Sequence, residues 1–194
     1  RQTLRDYIGS HRRFEKESEE EKMITQRIIS LKSPNGIAAY ELYKRSFPLN
    51  EQRIQSSQKS IMKNPLYHFD LIFADNKWVG EILYWEADDF LYVEHFCICE
   101  KERGNGYGAE ALSVIASQGK SVILEIDPPE DDVSIRRKGF YEKNGFVKND
   151  FSHIHPAYRK RFDGHKLVVM SYPNALSRYE YDEFYRFLCN SVMN

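Results

Sequence analysis

The segment with the clearest chemical potential is a short glycine-rich run. It reads Arg103-Gly104-Asn105-Gly106-Tyr107-Gly108 and stands between a predicted strand and a predicted helix. Glycines let backbone N–H groups approach a ligand closely, and the N-terminus of a helix favours negative charge. Because glycines at alternate positions are more than a turn requires, the run predicts a phosphate-binding loop.

The spacing of the glycines alone permits two interpretations of this loop. Gly104-x-Gly106-x-x-Ala109 fits the dinucleotide-binding fingerprint, and Glu125 stands near the place of its ribose-binding acid. That fingerprint usually follows the first strand of its fold at once, whereas several predicted strands precede this loop. The dinucleotide interpretation, an NAD-dependent oxidoreductase, is therefore the weaker one, and it predicts a sheet that is parallel throughout.

Cysteine and histidine do not form a recognisable metal motif. Cys97, Cys99 and Cys189 lack a second Cys/His pair at the spacing of a zinc finger or ribbon. His153 and His155 share a face if they lie on a strand, but they lack a third ligand. We expect buried thiols, solvated histidines and no metal, and the low cysteine count fits a reducing compartment.

Hydrophobic patterning indicates the elements that position the loop. Upstream we expect one strand, two helices and three antiparallel strands, over residues 24–31, 39–47, 51–63, 68–74, 78–85 and 91–99. Downstream we expect helices over 107–118 and 133–144, with a buried strand of the parallel kind over 121–126 between them. Two further strands begin near Phe146 and Leu167, and a last helix begins near Pro173.

Length and composition favour one domain with short additions. The chain has 194 residues, of which 41% are hydrophobic and 14% aromatic, enough for a single core. We interpret residues 1–22 as a charged extension, residues 23–173 as the domain and residues 174–194 as a C-terminal helix packed on it.

Charge and hydropathy restrict the partners. The formal net charge is −1, from 28 basic and 29 acidic residues, which disfavours a nucleic-acid partner. No run reaches the roughly 18 apolar residues of a membrane span, so we expect a cytoplasmic protein without a membrane partner. A homodimer is compatible with the sequence, which does not fix the oligomeric state.

The loop and a second motif together resemble a known family. Arg103-x-x-Gly106-x-Gly108 is similar to the acyl-coenzyme A signature of the GNAT (Gcn5-related N-acetyltransferase) superfamily, and residues 140–146 look like its Tyr-Glu-Lys-x-Gly-Phe segment. From Met23 to about Tyr172 the predicted elements follow the order of that family. The resemblance implies an α/β (α+β) fold whose mixed, mostly antiparallel sheet is flanked by helices, with a splayed pair of parallel central strands.

The resemblance also implies a cofactor site. Acetyl-coenzyme A would be the co-substrate, its pyrophosphate held by backbone amides of the loop and its pantetheine arm by the splayed strand. The implied cofactor-binding residues are Phe96, Ile98, Arg103, Gly104, Asn105, Gly106, Tyr107 and Gly108. The amide of Ile98 would donate to the thioester carbonyl. Ser134 and Arg137 depart from the family pattern, in which Asn and a small residue are common.

Acetyl transfer to an amine needs a proton acceptor and a proton donor. Tyr141 can protonate the departing thiolate, because a phenol with an ordinary pKa of about 10 keeps its proton at neutral pH. Glu94 is the first choice for the base, acting through water. His95 would point to the other face of a regular strand, so it is the second choice unless a bulge re-aims it.

The acceptor is the least constrained part of the prediction. By resemblance, it is shaped by residues 47–51 and 156–166, and the basic residues of the second segment could attract an anion or form a solvated loop. We expect direct transfer in a ternary complex to a primary amine of a small molecule, or of a peptide. The alternatives are a non-catalytic acyl-coenzyme A binding module and, less favoured, the oxidoreductase named above.

Overall fold

The computed structural model describes residues 23–193. The extension predicted over residues 1–22 lies outside the described residues. The strands are β1 Met23–Arg27, β2 Tyr67–Ala74, β3 Lys77–Glu86, β4 Phe90–Ile98, β5 Ser121–Ile126, β6 Val147–Lys148, β7 His153–His155 and β8 His165–Tyr172. The helices are α1 Pro34–Ser46, α2 Gln55–Ile61, α3 Tyr107–Ala116, α4 Asp132–Lys143 and α5 Arg178–Phe187.

The strands form a mixed sheet. Its order is β1-β2-β3-β4-β5-β8-β6, with β7 paired to β8. Among the described strands, β4 and β5 are parallel and the other pairings are antiparallel. The predicted fold class is confirmed. The oxidoreductase interpretation is wrong, because it requires a sheet that is parallel throughout.

The central parallel pair separates part-way along its length. β4 and β5 pair from Phe90 with Ser121 to Val93 with Leu124, whereas β4 itself continues to Ile98. Beyond Val93, β4 remains paired with β3 and leaves β5. The predicted splay is therefore present, and it opens a wedge between the two strands.

A β-bulge lies where β4 leaves β5. β3 pairs Leu83 with His95 but Tyr84 with Val93, so Glu94 is the extra residue of the bulge. An extra residue interrupts the alternation of side chains along a strand. As a result Glu94 and His95 both face the side of the sheet covered by α1, where a regular strand would separate them.

Each face of the sheet packs against its own helices. The face with α1 and α5 buries the side chains of Tyr43, Phe69, Trp85, Tyr92 and Phe184, among others. The face with α3 and α4 buries those of Ile82, Leu112, Leu124, Tyr141 and Met170, among others. Within residues 23–193, no helix combines the length and the apolar character needed to cross a bilayer.

The C-terminal helix begins later than its sequence predicts. Ser177 and Glu180 form a capping box that starts α5 at Arg178 rather than near Pro173. The helix continues into a π-helical turn over Leu188–Val192, whose last carbonyl accepts a hydrogen bond from Arg53 at 2.6 Å. The end of the described chain is thus connected to the region of the wedge.

Other element boundaries differ for local reasons. β1 ends at Arg27, since Ile28 turns its side chain into the core while its amide still donates to Phe69. The helix predicted over residues 51–63 is shorter, since α2 spans Gln55–Ile61 and a separate 3-10 turn over Leu49–Glu51 precedes it. The strand predicted at Phe146 consists of two residues, Val147 and Lys148.

Candidate active site between the separating strands

The wedge between β4 and β5 is the mouth of a cavity of about 800 Å³. Nine of the ten predicted site residues border it: Glu94, Phe96, Ile98, Arg103, Gly104, Gly106, Tyr107, Gly108 and Tyr141. Asn105 is the exception, and its side chain donates instead to the carbonyl of Glu102 at 3.2 Å. The fold therefore brings the two sequence motifs to one cavity.

The backbone of β4 presents amides to the wedge. The amide of Cys99, just after β4, donates to the carbonyl of Val79 on β3 at 2.8 Å. Because successive amides of a strand point to opposite edges, those of Ile98 and Phe96 point away from β3. The pairing with β5 has already ended at Val93, so no carbonyl of β5 accepts from them. These amides can donate to a ligand in the wedge.

The glycine loop leads into the N-terminus of α3. Gly104 and Gly106 have φ values of +84° and +86°, a region that other residues rarely occupy. Among the described residues, no side chain caps this end of α3, so its first amides remain available for an anion. Arg103 donates to the carbonyl of Ile98 at 3.2 Å and thereby braces the loop against β4.

Helix α4 closes the cavity on the opposite side. Gly108 lies so close to Phe140 that a Cβ on the glycine would meet its ring at 3.1 Å. The next residue, Tyr141, is 8% exposed and borders the cavity. Burial raises the pKa of Tyr141 to about 12, so its hydroxyl is protonated at neutral pH.

Glu94 is held in a buried ion pair. Its carboxylate lies 2.7 Å from Nη2 of Arg53 and accepts a hydrogen bond from the indole of Trp85 at 2.8 Å. Burial alone would raise the pKa of Glu94, but the charges of Arg53 and His95 and the hydrogen bonds from Trp85 and Tyr158 outweigh it and lower that pKa. The carboxylate is therefore ionised and already occupied.

His95 has the opposite character. Its Nε2 lies 2.8 Å from the carbonyl of Glu51, so Nε2 carries the proton of the neutral ring and Nδ1 holds a lone pair. Nδ1 is buried and has no hydrogen-bond partner among the described residues. Burial lowers the pKa of His95, although the charge of Glu94 opposes this effect.

Sequence reasoning missed a buried polar network around Glu125. The carboxylate of Glu125 accepts a hydrogen bond from Tyr92 at 2.5 Å and another from His153. Oε2 of Glu125 also lies 3.9 Å from Nε2 of His155. Both histidines are 2% exposed, so the expectation that they are solvated is wrong. The prediction that they share one face of a strand is confirmed on β7. This shared face was the one sequence signal that indicated the network.

The segment 156–166 does not present its basic residues as an anion site. Arg159 donates to the carbonyls of Gln52 and Arg53 at 2.8 and 3.4 Å. The ring of Tyr158 stacks under the guanidinium of Arg53 at 5.1 Å from its centroid. The segment is thus attached to the chain between α1 and α2 through Arg159 and Tyr158, while Lys160, Arg161 and Lys166 are exposed.

One group of side chains has the spacing of a metal site. Atoms of Glu51, Asp127 and His165 lie within 4.8 Å of one another. Asp127 already forms an ion pair with Arg137 at 2.6 Å. We assign no metal to this group.

The comparison with protein families decides what this architecture belongs to. A model described as the acetyltransferase (GNAT) family matches residues 36–146, more than half of the chain. The chain belongs to the GNAT acetyltransferase family. YjbC of Bacillus subtilis strain 168, an acetyltransferase by name, is 25% identical over 109 residues. That match covers 55% of each protein, so the chain spans about half the length of this relative.

Solved GNAT structures share the fold over most of the chain. A Bacteroides thetaiotaomicron protein named as a GNAT-family acetyltransferase has a TM-score of 0.82 at 27% identity, covering 88% of this chain and 98% of its own. Arabidopsis thaliana Naa50, in complex with the bisubstrate analogue CoA-Ac-MVNAL, has a TM-score of 0.55 at 14% identity. That match covers 77% of this chain and 97% of Naa50, and shows the fold alone.

The two departures from the GNAT pattern have structural explanations. Ser134 is 3% exposed and completes the capping box of α4 with Asp131, so its hydroxyl serves the helix. Arg137 pairs with Asp127 just after β5 and borders the cavity. The contacts of Ser134 and Arg137 are therefore with neighbouring residues of this chain.

The glycine loop supports a direct test with a matched control. Gly106→Ala and Gly119→Ala each put a Cβ into open space at a positive φ, so each should cost about 1 kcal/mol of stability. Only Gly106 belongs to the predicted phosphate-binding loop. Alanine keeps the backbone N–H, but its Cβ would hinder the close approach of a pyrophosphate; weakening one charge-assisted hydrogen bond should raise the Kd for coenzyme A about tenfold.

Calorimetric titration of both variants with coenzyme A measures this difference. Equal affinities for the two variants would remove the loop from the binding site.

Proposed function

We propose that the protein transfers an acetyl group from acetyl-coenzyme A to a primary amine within a ternary complex. The observation that carries this proposal is the placement of the glycine loop, the free amides of β4 and the hydroxyl-bearing Tyr141 around one cavity. Membership of the GNAT family supports acetyl transfer, and the coenzyme A analogue bound by Naa50 supports the choice of donor.

The cofactor would lie across the wedge. Amides between Gly104 and Gly108 would hold the pyrophosphate, with Arg103 bracing the loop. The pantetheine arm would run along Phe96 and Ile98, where β4 has no strand partner in β5. The amide of Ile98 would then donate to the thioester oxygen and stabilise the negative charge that develops there.

Tyr141 would complete the transfer. The amine nitrogen attacks the thioester carbon, the carbon–sulfur bond breaks, and the thiolate takes a proton from the Tyr141 hydroxyl. Because burial raises the pKa of Tyr141 to about 12, that proton is present at neutral pH. Coenzyme A leaves as the thiol; the base releases the proton it took from the amine to solvent, and the Tyr141 phenolate regains a proton from solvent.

The proton acceptor is a choice between two neighbours on β4. Glu94 as the base stays a prediction, but its carboxylate is occupied by Arg53 and its lowered pKa makes it a weak base. The contacts favour His95, whose bulged position and unpaired Nδ1 leave a lone pair on a neutral ring. We therefore assign proton removal to His95 and the anchoring of Arg53 to Glu94.

Tyr141→Phe tests the transfer itself. With acetyl-coenzyme A and a panel of primary amines, the acetylated product is measured by mass spectrometry. The variant should lose about 100-fold in kcat, the lower range for a general acid, while its affinity for coenzyme A stays unchanged. Tyr84→Phe is the control, since Tyr84 is buried in the same core without bordering the cavity.

Two outcomes would contradict this part of the proposal. Unchanged turnover in Tyr141→Phe would remove the hydroxyl from the reaction. Coenzyme A binding by the wild type without acetylation of any amine would favour a non-catalytic binding module.

The pH profile distinguishes the two candidate bases. His95 must be neutral to accept a proton, and its pKa lies below the ordinary value of 6.5. The kcat/KM of the wild type should therefore fall in acid through an ionisation below that value. In His95→Gln this acid limb of the pH profile should disappear, and the rate should fall about 100-fold.

His68→Gln serves as the control, because His68 stacks on Tyr84 outside the cavity. An acid limb that persists in His95→Gln and disappears in Glu94→Gln would return the role to Glu94.

A further inference from the structure

A second, smaller cavity adjoins the wedge. Its volume is about 70 Å³, room for a group of a few heavy atoms. The two cavities share the lining residues Glu51, Glu94, His95, Glu125, Asp127 and Arg137. A molecule whose amine reacts in the wedge can therefore extend another group into the smaller cavity.

Nε2 of His155 and Oε2 of Glu125 face each other in this cavity, and Oε2 already accepts a hydrogen bond from Tyr92. Nδ1 of His155 lies 2.6 Å from the carbonyl of Pro156, so Nδ1 carries the proton of the neutral ring and Nε2 holds a lone pair. Nε2 is buried, has no hydrogen-bond partner among the described residues, and lies 3.9 Å from Oε2 of Glu125. One nitrogen at about 2.8 Å from both atoms would bridge that gap.

The remaining polar lining is rich in acceptors and in negative charge. Asp127 pairs with Arg137 at 2.6 Å and has His165 at 3.6 Å. Glu51 and Asp163 also line the cavity, and within residues 23–193 neither forms an ion pair. Burial, and then repulsion from Asp127, raises the pKa of Glu51, against the opposing charges of His165 and Arg137. A cation placed among these groups would relieve that repulsion.

We propose that the smaller cavity binds a second cationic group of the acetyl acceptor, so that the acceptor is a small aliphatic diamine. This inference rests on the proposed amine acetylation. A protonated amine supplies the N–H donor that Nε2 of His155 lacks and places a positive charge beside the carboxylates of Glu125 and Glu51. An alkyl or anionic group in the same place would leave Nε2 of His155 unpaired, which is costly in a buried site.

The test compares linear diaminoalkanes, from propane to hexane, with the monoamine of the same carbon count. The kcat/KM for acetylation should be at least about tenfold higher for the best diamine, the value of one charge-assisted hydrogen bond. Glu51→Gln should lower the kcat/KM for diamines more than that for monoamines, because it removes the carboxylate charge and keeps the backbone carbonyl that contacts His95.

A matched variant controls for the loss of a charge. Asp89→Asn removes one carboxylate from the turn before β4, at the end of the strand remote from both cavities, and should keep the preference. Calorimetry with coenzyme A confirms for each variant that the cofactor site is intact.

The possible results distinguish the diamine inference from the proposed amine acetylation. Acetylation of monoamines and diamines at equal kcat/KM would overturn the diamine inference and leave amine acetylation in place. A preference that survives Glu51→Gln undiminished would overturn the assignment of the cavity. Coenzyme A binding without acetylation of either series would overturn both. A preference that Glu51→Gln lowers and Asp89→Asn preserves supports the inference.

Discussion

The architecture of the site depends on one backbone constraint: β4 must leave β5 while staying paired with β3. The pairing between the parallel strands ends at Val93 and Leu124, and the bulge at Glu94 lets β4 turn away without breaking its ladder to β3. This single departure opens the wedge, frees the amides of Phe96 and Ile98, and turns Glu94 and His95 to the same face. A straight β4 would close the cavity and separate those side chains.

A buried ion pair holds the walls on either side of that wedge. Arg53 contacts the carboxylate of Glu94 on β4 and the carbonyl of Val192 at the C-terminal turn. The ring of Tyr158 packs on the same guanidinium. Removing either charge of a buried pair leaves the other unpaired, which typically costs 3–5 kcal/mol. We infer that Glu94 mainly holds Arg53, and the segments that Arg53 contacts, in place around the acceptor.

The sequence predicted the parts of the site that depend on local chemistry. Gly104 and Gly106 occupy a conformation that favours glycine, and the motif around Tyr141 stands next to them along α4. Glu125 and His155 could not be found this way, because they meet only through the pairing of β7 with β8 and of β8 with β5. The bulge that re-aims His95 likewise depends on register between strands, which no local pattern encodes.

Amide hydrogen exchange with and without acetyl-coenzyme A tests the central claim most directly. If the thioester arm lies in the wedge, peptides covering residues 94–98 and the glycine loop should exchange more slowly when the cofactor is present. Peptides from β2 and from α5 should be unaffected. Protection that appears elsewhere, with residues 94–98 exchanging at an unchanged rate, would contradict the placement of the cofactor between β4 and β5.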